Sequence, residues 1–202
     1  MTTPNTPAVI TLTKADGAAD LDGVTKMGVG ASWDTTAGLG GGLMGALRKA
    51  RGTDLDAIAI LMSGDEPVRF AGLDVTDPLK NGGITHSGDN RTGRGDGDDE
   101  LIEVTFDKVP PQVTSIVFVC AAFKKGSDFQ HAANISFKIY DSTGGSTAQV
   151  ADIWPSLLGA GNAIAVAKAY RVGASWKLEV VNERGTVQQG DRDSLLRFAM
   201  GK

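Results

Sequence analysis

Between residues 99 and 109 the chain reads DELIEVTFDKV, where Ile102, Val104 and Phe106 alternate with Glu103, Thr105 and Asp107. A period of two places the two sets on opposite sides of an extended chain, so this segment can bury one side and wet the other only as a β-strand. The signal recurs. AVITLTK (8–14) sets Val9, Thr11 and Thr13 against Ile10 and Leu12, and KMGVGASW (26–33) lines up Met27, Val29, Ala31 and Trp33. DLDAIAILM (54–62) is an apolar run led by two aspartates, and TSIVFVCAAF (114–123) is β-branched, aromatic and apolar on both sides. Both fit strands covered from two directions. NISFKIYD (134–141), NAIAVAKAYRV (162–172) and SWKLEVVNE (175–183) complete the series, and Gly173 with Ala174 between the last two signals a hairpin. Many short strands with turns between them predict an all-β fold, an antiparallel β-sandwich. The expected organisation is a flexible, proline-bearing tail over 1–7 and one domain over 8–202, since 202 residues suffice for one sizeable core and no repeat or linker divides them.

Two segments break the strand rhythm. GLGGGLMGALRKARG (38–52) places Leu43, Met44 and Leu47 at helical spacing, with Arg48, Lys49 and Arg51 behind them. It is read as a glycine-rich insertion with a short helical turn packed on the sandwich, a basic membrane or partner anchor being the lesser alternative. DRDSLLRFAMGK, at the end, offers Asp193 or Ser194 as an N-cap and Leu195, Leu196, Phe198 and Ala199 as an apolar set, which predicts a short helix docked on a sheet. Cys120 is the only cysteine, so no intrachain disulfide forms and a reducing compartment is expected. The opening MTTPNTPAVI has neither a basic nor a long apolar stretch, so no secretory signal is expected, and no run of apolar residues is long enough to span a membrane. A formal charge of −4 with a pI near 5.1 argues against a nucleic-acid partner, whose surface would call for a basic protein.

The acids are distributed unusually. In SGDNRTGRGDGDDELIEV (87–104), Asp89, Asp96, Asp98, Asp99 and Glu100 alternate with glycines directly ahead of a strand. Asp54 and Asp56, two apart on a strand, project from one side at the end of the apolar strip continued by Ile58 and Ile60. Like charges beside a core are costly unless compensated. A hard cation such as Ca²⁺, which takes six to eight oxygens in irregular geometry, would compensate them. An EF-hand is excluded: Asp89 and Glu100 fit its ends, but Arg91, Gly93 and Arg94 do not fit its interior, and a strand pattern follows. A solvated acidic loop and a metal site both account for the charge run taken alone. The Asp54/Asp56 pair tilts the choice toward metal.

Taken in order, GASWD (30–34), TDLDAIAILM (53–62), NGGITHSGDNRTGRGDGDDELIEV (81–104), VPPQVTSIVFVCAAF (109–123), FQHAANISFKIYD (129–141) and YRVGASWKLEVV (170–181) resemble the TerD family of bacterial tellurium-resistance and general-stress proteins. The resemblance runs from about residue 9 to 183, and its most specific part is GDNRTGRGDGDDE. It implies a cytoplasmic, calcium-binding β-sandwich with no enzymatic reaction, working with other proteins of a stress or tellurite-resistance system. Matched by position, it implies metal oxygens from Asp54, Asp56, Asp89, Asn90, Asp96, Asp98 and Glu100, with Asp99 contributing or facing solvent. Gly52 stands where the family commonly carries a further acid, so one or two ions are expected. The stretch 38–51 is longer than usual for the family.

The function expected is a calcium-responsive interaction module. The alternatives are a hydrolase using the same acids and a calcium-dependent membrane-surface module using 48–51. Against a hydrolase, the chain is only 6% aromatic, and Trp33 and Trp176 fall in strand patterns, leaving only Trp154 to line a groove. His86 is expected in a turn with a backbone partner. Cys120 with His131 would be a nucleophile and base, but a thiol inside an apolar strand is ordinarily inert core.

Overall fold

The computed structural model describes residues 10–35, 54–90, 97–129, 132–145, 147–154 and 161–201. The tail 1–7, the insertion 38–52, Asp96 and His131 lie outside the described residues. Twelve strands are seen among the described residues: β1 (Ile10–Thr11), β2 (Ala19–Asp20), β3 (Lys26–Thr35), β4 (Asp56–Ser63), β5 (Glu66–Ala71), β6 (Ile84–His86), β7 (Glu100–Thr105), β8 (Ser115–Ala121), β9 (Ala132–Asp141), β10 (Ala148–Ile153), β11 (Ala163–Val172) and β12 (Ser175–Gly185). They form two six-stranded sheets, in the orders β1-β10-β9-β3-β7-β6 and β2-β12-β11-β8-β4-β5. All pairings are antiparallel except the short parallel contact of β1 with β10.

The alternation read from the sequence decides which side of each strand is buried. Met27, Val29, Ala31 and Trp33 of β3, Ile102 and Val104 of β7, and Phe137 and Ile139 of β9 point to one shared core. The second sheet meets them there with Leu55, Ala57, Ala59 and Leu61 near or on β4, and with Ile116, Phe118 and Cys120 of β8. The other side of β4 and β8 is also covered. Ile58, Ile60, Met62, Val117, Val119 and Ala121 form a second cluster with Leu195 of the C-terminal helix, Arg192–Ala199. That second cover explains why these two strands are apolar throughout rather than alternating.

Several expectations are amended. Phe106 ends the alternation of β7 but lies in a 3-10 turn, Phe106–Lys108, where it remains buried. The helix cap is Asp191, not Asp193 or Ser194: the Asp191 carboxylate accepts the backbone N–H groups of Asp193 at 2.9 Å and Ser194 at 3.3 Å. The short strands β2, β5, β6 and β10 carry too little pattern to stand out in the sequence. The expected hairpin is present, with Val172 opposite Ser175.

Candidate metal centre

β4 enters the second sheet at Asp56, and strand parity sets Asp56 with Ile58 and Ile60 on the outer side of that sheet. Asp54 precedes it by two residues. Both carboxylates are sequestered, at 6% exposure for Asp54 and 5% for Asp56. The loop after β6 brings in the exposed Asp89, and one carboxylate oxygen from each of the three lies within 4.8 Å of the others. Among the described residues this is the only such group of potential metal ligands. Lys124 sits 2.9 Å from Asp54 Oδ2, and the Phe123 N–H donates to Asp56. Asp54 Oδ1 and Asp56 Oδ2 are buried without a hydrogen-bond partner. Burial, then the charges of Asp54, Glu100 and Asp89, push the Asp56 carboxyl up to about 8. Orphaned carboxylate oxygens of this kind are expensive in a protein interior. A donor set made wholly of hard oxygens suits Ca²⁺.

Glu100 supports the cluster from inside the sandwich. It is 1% exposed. Its Oε2 accepts the Ala57 N–H at 2.7 Å, and its Oε1 accepts the Asn90 N–H at 3.0 Å. His86 Nε2 lies 3.3 Å from Glu100 Oε2 and 3.0 Å from the Ala57 carbonyl oxygen. The Gly88 N–H donates to His86 Nδ1 at 3.0 Å. With Nδ1 accepting, the Nε2 proton faces the Ala57 carbonyl and Glu100. Gly88 reaches back in this way at φ +105, a conformation that needs glycine. Thus Ala57, the residue after Asp56, is bracketed by Glu100 and His86.

The remaining acids diverge. Asp99 Oδ2 accepts the Trp33 N–H at 2.9 Å, and its Oδ1 accepts Asn90 Nδ2 at 3.0 Å. Burial raises its carboxyl above the ordinary range. Asp98 lies over Gly30, where any Cβ would collide with its carboxylate. There it accepts from Ser32 Oγ, Lys138 Nζ and Tyr140 OH. These partners face outward from the first sheet, opposite to Ala31, Phe137 and Ile139. Asp98 and the Asp54/Asp56 pair therefore lie on opposite outer sides of the sandwich. The candidate ligands named from the sequence thus separate into three settings: Asp54, Asp56 and Asp89 together; Asn90, Asp99 and Glu100 as hydrogen-bonded ties; and Asp98 as an outer-surface partner.

The sequence reading overlooked the cations beside the cluster. A cleft of about 550 Å³ opens over Asp54, Asp56 and Asp89 and is rimmed by Lys124, Lys125 and Arg192. Its signal in the sequence is slight, a Lys-Lys pair that begins three residues past a central strand. Cys120 is buried in the main core, and burial raises its thiol well above the ordinary value, as fits inert packing. Trp33 and Trp176 are buried as expected, and Trp154 is exposed.

Comparison with known proteins places these features. The family model for the TerD domain matches residues 9–190. Stress response protein SCP2 of Bacillus subtilis (strain 168) is 31% identical over 183 residues, spanning 87% of this chain and 90% of that protein. Tellurium resistance protein TerZ of Serratia marcescens is 35% identical over 127 residues, spanning 60% of this chain and 62% of its own. The crystal structure of a homologue of telluride resistance protein (TerD) from Streptomyces coelicolor A3(2) superposes with a TM-score of 0.67. That match covers 89% of this chain and 99% of the other at 19% identity, a likeness of fold alone.

Proposed function

This chain belongs to the TerD family, and from that premise we propose that it is a calcium-binding protein of stress response and tellurite resistance, acting as a calcium-responsive interaction module. The observation that carries this reading is the pair of buried, unpartnered oxygens, Asp54 Oδ1 and Asp56 Oδ2, within reach of Asp89. Asp54, Asp56 and Asp89 would hold the ion. A bound divalent ion supplies positive charge that neutralises three crowded carboxylates. The chain's own residues do the rest. Phe123 and Ala57 fix the start of β4 through the Asp56 carboxylate and the bracket formed by Glu100 and His86. Asn90 ties the loop carrying Asp89 to Glu100 and Asp99. An ion on Asp89 would therefore be felt along the loop and into the edge of the first sheet. Other proteins of a cytoplasmic stress or tellurite-resistance system are the partners this surface would serve.

Calcium titration by calorimetry, on the wild type and on Asp54→Ala, tests the reading. It predicts saturable binding by the wild type and a large loss in the variant. Absence of binding heat and of thermal stabilisation in the wild type would remove its basis.

A further inference from the structure

We infer that the cleft over Asp54 and Asp56 is a composite site, in which a bound divalent ion and the Lys124/Lys125 rim together take a phosphate monoester. The inference rests on the calcium reading above and extends it to a ligand class.

Three side chains, Asp54, Asp56 and Asp89, meet at the floor. A hard cation such as Ca²⁺ takes six to eight oxygens, so three carboxylates leave part of its coordination open. The floor is closed on the β4 side, where Asp54 and Asp56 are 6% and 5% exposed with one unpartnered oxygen each. Coordination left open would therefore face the cleft, which has room for a small organic molecule at about 550 Å³. Four carboxylates, Asp74 included, face three cationic side chains there. A divalent ion bound there would shift that balance toward positive charge.

The rim is placed to use that change. Lys124 pairs with Asp54 Oδ2 at 2.9 Å while its own side chain remains 54% exposed. With an ion held by Asp54, Lys124 would share or lose that partner, and its exposed, flexible stem would let the ammonium reach into the cleft. Lys125, beside it, makes no ion pair among the described residues. Arg192 is held against Phe70 and pairs with Asp74, so it is positioned rather than free. The loop that carries both lysines is anchored: Gln189 Nε2 donates to the Ala122 and Ser127 carbonyls, and the Gly126 N–H donates to Gln189 Oε1. A phosphate monoester dianion presents three oxygens on one centre, enough to reach the ion and both ammonium groups at once. A neutral ligand would leave the lysines unpaired, and a cation would be repelled by the loaded site.

The test uses the whole protein, with glycerol 3-phosphate as the soluble probe and phosphatidylcholine vesicles containing phosphatidic acid as the lipid probe. Calcium is first titrated alone into the wild type and into the double variant Lys124→Gln/Lys125→Gln. Both should bind it, the variant as tightly or more tightly, because the competing ammonium is gone. Glycerol 3-phosphate should then bind the calcium-loaded wild type, not the EDTA-treated protein, and should bind the loaded variant at least tenfold more weakly. Calcium-dependent sedimentation with the vesicles as well assigns the phosphate to a lipid headgroup, and its absence assigns it to a free solute. Calcium binding with no calcium-dependent binding of either probe, or equal probe binding by variant and wild type, overturns the inference and leaves the metal reading intact. Failure of the wild type to bind calcium overturns both.

Discussion

At the scale of single residues, Asp56 is a buried carboxyl with one oxygen unpartnered. Folded Asp56 keeps its proton up to about pH 8, whereas an unperturbed aspartate releases it near about 4. Between those values the folded state binds the extra proton, so rising pH favours unfolding. The contribution is fully present below about pH 4 and is lost as pH passes through about 8. In EDTA, the melting temperature of the wild type should therefore fall between about pH 5.5 and 8.5, and Asp56→Asn should flatten that slope. A slope unchanged in Asp56→Asn would assign the dependence to another group. Glu100 differs, since both its oxygens accept from backbone N–H groups and His86 Nε2 faces one of them. Glu100→Gln turns an amide donor against those donors. It should cost about 1–3 kcal/mol in urea unfolding, with or without calcium. Parity and the apolar run made it legible in the sequence that Asp54 and Asp56 share a side. That Asp89 joins them while Asp98 turns to the far surface was not legible. These residues lie in a glycine-rich segment without a period, and the Asp98 partners Tyr140 and Lys138 come from a strand far along the chain.

At the scale of elements, the C-terminal helix closes the outer side of the second sheet and carries Arg192 to the cleft. Its stability rests on a cap and an anchor. Asp191→Ala removes two accepted N–H bonds and should cost about 1 kcal/mol in chemical unfolding. Leu195→Ala, at a site 2% exposed, should cost about 2–5 kcal/mol. If Leu195→Ala is neutral, the helix is not the cover that makes β4 and β8 apolar on both sides. The long strands were readable because their burial follows a strict alternation or a continuous apolar run. β5 was not, because Pro67 interrupts it; its place at the edge of the sheet is where a proline is tolerated. The helix start was ambiguous because Asp191, Asp193 and Ser194 can all cap. Docking of Leu195 into the second cluster decides among them.

At the scale of the whole molecule, the described acids are held in three settings, two on opposite outer sides of the sandwich and one inside it, rather than in one nest. Among the described acids, only the group on the outer side of the second sheet leaves buried carboxylate oxygens unpartnered. Calcium at about a hundred times its dissociation constant would add about 2.7 kcal/mol. For a chain of this size that amounts to a rise of about 5–10 °C in melting temperature, reversed by EDTA. The ion should act as one more cross-link between the loop after β6 and the start of β4, so Asp54→Ala and Asp56→Asn should each abolish the rise. The most direct measurement is an anomalous difference map from crystals grown in calcium. The account predicts a peak enclosed by Asp54, Asp56 and Asp89. A calcium peak confined to the Asp98 surface, or no peak at all in calcium-saturated crystals, would contradict it.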